Sequence, residues 1–139
     1  MPVALLLALA APTVANADVT VSVSGTAPHK TLTYTVDDAL DHSVLATVAT
    51  DDLVIADSLG VVSGCAPFAS GSAICGPAAD FERLVFHFGA GDDELDAGAL
   101  AIPLTVDGGG GNDVLAGGAL GDDVACGPGD DVVYEYDDA

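Results

Sequence analysis

Three short stretches toward the C-terminal end hold the residues with the most definite chemistry: Gly89-Ala90-Gly91-Asp92-Asp93, Gly108-Gly109-Gly110-Gly111-Asn112-Asp113 and Cys126-Gly127-Pro128-Gly129-Asp130-Asp131. Each joins glycines to a closing aspartate. Glycine reaches the positive-φ conformations of a tight bend and lets two backbones approach closely. A tight bend turns several carbonyl oxygens inward, and the aspartate adds negative charge beside them. An all-oxygen set of this kind suits a hard cation such as Ca2+, which takes six to eight oxygens at roughly 2.3–2.6 Å.

The spacing makes these turns part of a repeat. In the pattern Gly-Gly-x-Gly-x-Asp-x-U-x, where U is a large apolar residue, blocks 108–116, 117–125 and 126–134 follow one another at a period of nine. They put Asp113 with Leu115, Asp122 with Val124, and Asp131 with Val133 at the acidic and apolar positions. An earlier block, Phe88 to Asp96, puts Asp93 and Leu95 there. Segment 97–107 between them is poor in glycine and two residues longer than a unit, and its Ile102, Leu104 and Val106 alternate as one more strand. A fixed short period means stacked coils, each unit supplying one turn and one strand. Block 117–125 is the defective one, because Leu120 stands where glycine is expected.

The elements before the repeats read as strands as well. Val19–Ser24, Thr31–Val36, Ser43–Val48, Leu53–Ala56 and Leu84–Phe88 are alternating or β-branched runs separated by turn residues, and no window sustains a helical period. Residues 58–80, with Gly60, Gly64, Pro67, Gly71, Gly76 and Pro77, read as a loop-rich excursion. The expected class is all-β, with an irregular strand-rich half over 18–87 continuing into a coil over 88–136. A separate small sandwich is the rival arrangement for the first half.

Charge narrows the function. The 139 residues carry 22 acidic side chains against two basic ones, Lys30 and Arg83, for a net charge of −20. Self-repulsion at that density opposes compaction, so something must neutralise the carboxylates. Two cationic side chains cannot neutralise a phosphate backbone, which disfavours nucleic acid, and anionic membranes are disfavoured for the same reason. Aromatic residues make up only 5% and tryptophan is absent, which predicts thin, repetitive burial. Val3 to Ala11 is an apolar run followed by Ala15-Asn16-Ala17, which reads as a secretory leader over 1–17 that lacks the usual positive start.

In an exported chain, Cys65 and Cys75 are well placed to close a small surface loop, and Cys126 is left over as a space-filling residue. No zinc-type cysteine spacing occurs. The histidines, His29, His42 and His87, read as surface or strand positions, and neither a Gly-x-Ser-x-Gly nor a His-Glu-x-x-His motif is present, so no catalysis is expected. The pairs Asp37-Asp38, Asp51-Asp52 and Asp137-Asp138 read as solvated loop charges.

The nonapeptides resemble those of the RTX, or haemolysin-type, calcium-binding repeat family, over about 47 of the 139 residues. The order of parts is similar to that of small secreted calcium-binding proteins. The resemblance implies a right-handed parallel β-roll, a β-solenoid in which two nonapeptides make one turn and Ca2+ lies between units two apart on one edge. By that rule Asp93, Asp113 and Asp131 share an edge and make two sites, one between 88–93 and 108–113 and one between 108–113 and 126–131. The implied carbonyl donors are Gly89, Gly91, Gly108, Gly109, Gly110, Gly111, Asn112, Gly127, Gly129 and Asp130. Asp122 faces the other edge, expected to be empty or weak. The implied function is a secreted, extracellular protein with Ca2+ as cofactor, in which metal binding and folding are one event. The alternatives are a C-terminal remnant of a secreted hydrolase and a calcium-dependent surface or adhesion protein, with self-association or cell-surface contact as the partner.

Overall fold

The computed structural model describes residues 19–59, 63–69 and 71–136, so the expected leader 1–17 and the pair Asp137-Asp138 lie outside the described residues. The first strands are β1 (Val19–Ser24), β2 (Lys30–Val36), β3 (Ser43–Ala49) and β4 (Asp52–Asp57). β5 (Ala66–Ala69), β6 (Ser72–Pro77), a short 3-10 turn (Ala78–Asp80) and β7 (Phe81–His87) follow. The chain then runs through β8 (Glu94–Asp96), β9 (Leu104–Asp107), β10 (Val114–Ala116), β11 (Asp123–Ala125) and β12 (Val132–Tyr134). The class is all-β.

Alternation makes the longer strands. In β2, Leu32, Tyr34 and Val36 are buried while Thr31, Thr33 and Thr35 are only half-buried between them, the two-residue period of a pleated strand with one face on a core. Thr50 and Asp51, both at positive φ, close the two-residue hairpin from β3 to β4, the geometry such tight loops prefer.

Two sheets result, in the orders β1-β2-β7-β9-β11 and β12-β10-β8-β3-β4-β6-β5. From β7 onward successive strands enter alternate sheets. Neighbours within each sheet on that side are parallel, β2·β7·β9·β11 in one and β3·β8·β10·β12 in the other. The chain therefore makes stacked passes, β2 with β3, β7 with β8, β9 with β10, and β11 with β12. The strands of the first half share sheets and core with the repeats, and the hairpin strands β4, β6 and β5 extend the second sheet beyond them.

Register aligns the core in columns. Leu32, Leu84 and Leu104 form one, and Tyr34, Phe86, Val106 and Val124 a second. Val44, Leu95, Leu115 and Val133 face them from the other sheet. The columns taper. Tyr34, Phe86 and Phe88 cluster with ring centroids 5.6–6.4 Å apart at the first passes, so the buried aromatics are concentrated there, and the last pass gives the core only Val124 and Val133, its Tyr134 being exposed.

Two expectations need correction. Segment 58–80 holds strands β5 and β6 and the 3-10 turn; its small residues show weak alternation, but backbone pairing onto the edge of β4 and the Cys65–Cys75 disulfide give it order. The seventh strand begins at Phe81 and stops at His87, because Phe88 already belongs to the following turn.

Leu115 is fully buried in the middle of its column. Leu115→Ala is expected to destabilise the fold by about 2–5 kcal/mol through lost transfer energy and the cavity left behind. Val48→Ala, on an exposed position, is expected to stay within about 0.5 kcal/mol. Denaturant melts of both variants check the contrast.

Candidate metal centre

Four turns join the first sheet to the second along one edge: 37–42, 88–93, 108–113 and 126–131. They lie one on another, and close approach dictates glycine. At Gly109 (φ +77) and Gly127 (φ +85), a Cβ would be driven into the carbonyl oxygens of Gly89 and Gly109 on the turn below.

The same hydrogen bonds recur at each step. Asp93 Oδ1 accepts the backbone N–H of His42, Asp113 Oδ1 that of Asp93, and Asp131 Oδ1 that of Asp113, each at 2.9 Å. One residue earlier a second ladder runs the other way: Asp41 Oδ1 accepts from Asp92 N, Asp92 Oδ1 from Asn112 N, and Asn112 Oδ1 from Asp130 N, at 2.7–2.9 Å. The carbonyls of His42, Asp93 and Asp113 accept from Glu94, Val114 and Val132. The carbonyls of Asp38 and Gly89 accept from Ala90 and Gly110. At the next step Pro128 has no N–H to give Gly109.

Each carboxylate of the first ladder thus reaches back to the preceding turn with one oxygen committed. The second oxygen is different. Asp93 Oδ2 and Asp113 Oδ2 are buried and have no hydrogen-bond partner, although Asp93 is only 1% exposed and Asp113 0%. A buried, unpaired carboxylate oxygen is costly. Burial, opposed by the His42 N–H, pushes the Asp93 carboxyl up to about 6 from 3.8, with Asp113 and Asp38 adding like-charge repulsion. Burial likewise raises Asp113, helped by Asp131 and Asp92.

The expected residues are therefore brought together as follows. Gly89, Gly91 and Asp93 lie in one turn, Gly108 to Gly111 with Asn112 and Asp113 in the next, and Gly127, Gly129, Asp130 and half-buried Asp131 in the last. The structure adds a direction to each carboxylate: the gap between 88–93 and 108–113 receives the side chain of Asp113, while that of Asp93 faces turn 37–42. Among the described residues no three His, Cys, Asp or Glu side chains converge on one point, so a cation here would draw most of its oxygens from the backbone. An unpartnered carboxylate beside stacked carbonyls fits Ca2+, for which main-chain oxygens are ordinary ligands.

On the opposite edge Asp122 is already satisfied, Oδ1 by Leu104 N at 2.9 Å and Oδ2 by Gly118 N at 2.8 Å.

Turn 37–42 escaped the sequence reading, as did what lies beneath it. His42 occupies the place that Asp93 holds one turn higher. Its buried ring sits 2.9 Å from Asp57 Oδ2 through Nδ1 and 3.1 Å from Asp38 Oδ1 through Nε2. Tyr34 donates its hydroxyl to the same Asp57 oxygen at 2.5 Å. Burial pulls the imidazole pKa down, but the hydrogen bonds to Asp57 and Asp38 outweigh it and leave the ring above its ordinary 6.5. The available signal was architectural: a strand, six residues and a strand occur at 30–49 as at 81–96.

Compared with known proteins, the chain matches no family model, no curated protein and no solved structure.

The pKa shifts set the pH response of the metal-free chain. A carboxyl raised from 3.8 to about 6 binds its proton more tightly when folded, so its contribution is present in acid and lost as pH rises through about 6. The raised Asp113 and His42 act in the same sense. The melting temperature of metal-free protein is expected to climb as pH falls from 7 toward 4, and Asp93→Asn to flatten the climb, as read by circular dichroism.

Proposed function

We propose that this chain is a secreted calcium-binding protein whose Gly/Asp turns form one edge of a right-handed parallel β-roll. Calcium uptake at that edge completes folding outside the cell. The observation that carries the reading is the unpartnered, fully buried Oδ2 of Asp113, set between two glycine turns that stack closely enough to present main-chain oxygens.

Asp113, with carbonyls from Gly89, Gly91 and Gly108 to Gly111, would hold one ion. Asp131, with carbonyls from the 108–112 turn and from Gly127, Gly129 and Asp130, would hold another. Bound Ca2+ supplies positive charge where buried carboxylates otherwise repel. Around it the chain's own residues position the donors: glycines admit the neighbouring backbone, the Asp92-Asn112-Asp130 ladder fixes the spacing of the turns, and Leu95, Leu115 and Val133 anchor each turn in the core. The reading fits the net charge of −20 and the motif resemblance to RTX repeats. A Cys65–Cys75 bridge fits an oxidising compartment. No catalytic constellation enters the proposal.

Extracellular calcium modules bind at about 10⁻⁴–10⁻³ M. At calcium tenfold above the dissociation constant each site adds about 1.4 kcal/mol. Millimolar calcium is therefore expected to raise the melting temperature by several degrees and to sharpen the β signal in circular dichroism. Asp113→Asn and Asp131→Asn are each expected to reduce that rise. An unchanged spectrum and melt at 10 mM calcium, a concentration at the upper end of this affinity range multiplied tenfold, would contradict the reading.

A further inference from the structure

The step from turn 37–42 to turn 88–93 repeats, bond for bond, the step from 88–93 to 108–113. A backbone N–H, His42 in one and Asp93 in the other, is taken by the Oδ1 of the aspartate above. A carbonyl, Asp38 or Gly89, is taken by the N–H above it. An outer carboxylate, Asp41 or Asp92, is taken by the N–H of the next turn. Gly91 lies so close to Leu40 that a Cβ would meet its carbonyl oxygen, just as Gly111 meets that of Gly91. The two gaps also share their defect: Asp93 Oδ2 is as unpartnered as Asp113 Oδ2.

We infer that the gap between turn 37–42 and turn 88–93 is a further calcium position, with the Asp93 carboxylate and main-chain oxygens of the Asp38–Leu40 segment and of turn 88–93 as its donors. The inference rests on the calcium reading proposed above and adds a site whose lower turn carries no glycine motif. Turn 37–42 contains no glycine. Among the described residues it is the lowest of the four turns, and the Asp57 side chain, not a further glycine turn, lies against His42. His42 closes that lower face. Where an aspartate would reach down to another turn, the imidazole is instead clamped between Asp57 and Asp38, so the series of gaps ends here. The charges facing the gap are those of Asp38, Asp41 and Asp93, with His42 beneath them, and a divalent cation offsets their excess.

Isothermal calorimetry with calcium alone on the full chain tests this. The unaltered protein is expected to take up three ions on this edge. Asp113→Asn, Asp131→Asn and Asp93→Asn are each expected to take up two, the amide in Asp93→Asn keeping the Oδ1 that accepts the His42 N–H. Two ions in the unaltered chain overturn the inference whether or not Asp93→Asn folds. Three ions in both the unaltered chain and Asp93→Asn overturn it as well. No calcium uptake by the unaltered chain would defeat the proposed function itself, whereas two ions, lost singly in Asp113→Asn and Asp131→Asn, would defeat only the added site.

Discussion

Everything along the edge of stacked turns depends on one arrangement: an aspartate that reaches from its own turn to the backbone of the turn before it. One oxygen is fixed by an N–H at 2.9 Å and the other is left buried without a partner. The first half of that arrangement holds neighbouring turns in register. The second half stores an electrostatic deficit, because a carboxylate taken out of water needs either a proton or a cation. Repeating the arrangement places like charges one above another, so neighbouring turns repel through their carboxylates. A divalent metal would turn each liability into a link between turns.

The rest of the structure keeps those turns stacked. Parallel pairing in both sheets sets the spacing, and the aligned columns of leucine and valine give each turn an anchor on the core side. The antiparallel additions, β1 on one sheet and the β4-β6-β5 hairpins on the other, widen the first passes. With the Tyr34, Phe86 and Phe88 cluster they concentrate burial at one end. The last pass, with half-buried Val124 and Val133, has the least core of its own. It is tied to the pass before it by parallel pairing of β10 with β12 and by the bond from Asp113 N to Asp131 Oδ1.

Much of this was legible in the residues. Glycine at fixed spacing marks the turns at 88, 108 and 126 because close backbone approach leaves no alternative, and the nine-residue period with its two-residue surplus in 97–107 predicts the observed register offsets of 20 and 18. The strands of the first half were visible through alternation. Turn 37–42 was not. It lies 51 residues before its partner, the inserted hairpins hide the period, and it lacks the glycines that betray the others. Nor could spacing tell which gap Asp93 faces, since that depends on the direction in which a side chain leaves its turn. The β5–β6 hairpin was obscured for a different reason: its strands are held by backbone pairing and a disulfide, and small residues carry little alternation.

The most direct test of the account is a crystal structure grown in millimolar calcium. It predicts an ion whose distance to Asp113 Oδ2 falls at roughly 2.3–2.6 Å, with carbonyl oxygens of the two flanking turns completing the shell. Asp113 Oδ2 found against protein or water alone at saturating calcium, with no ion between the turns, would contradict it.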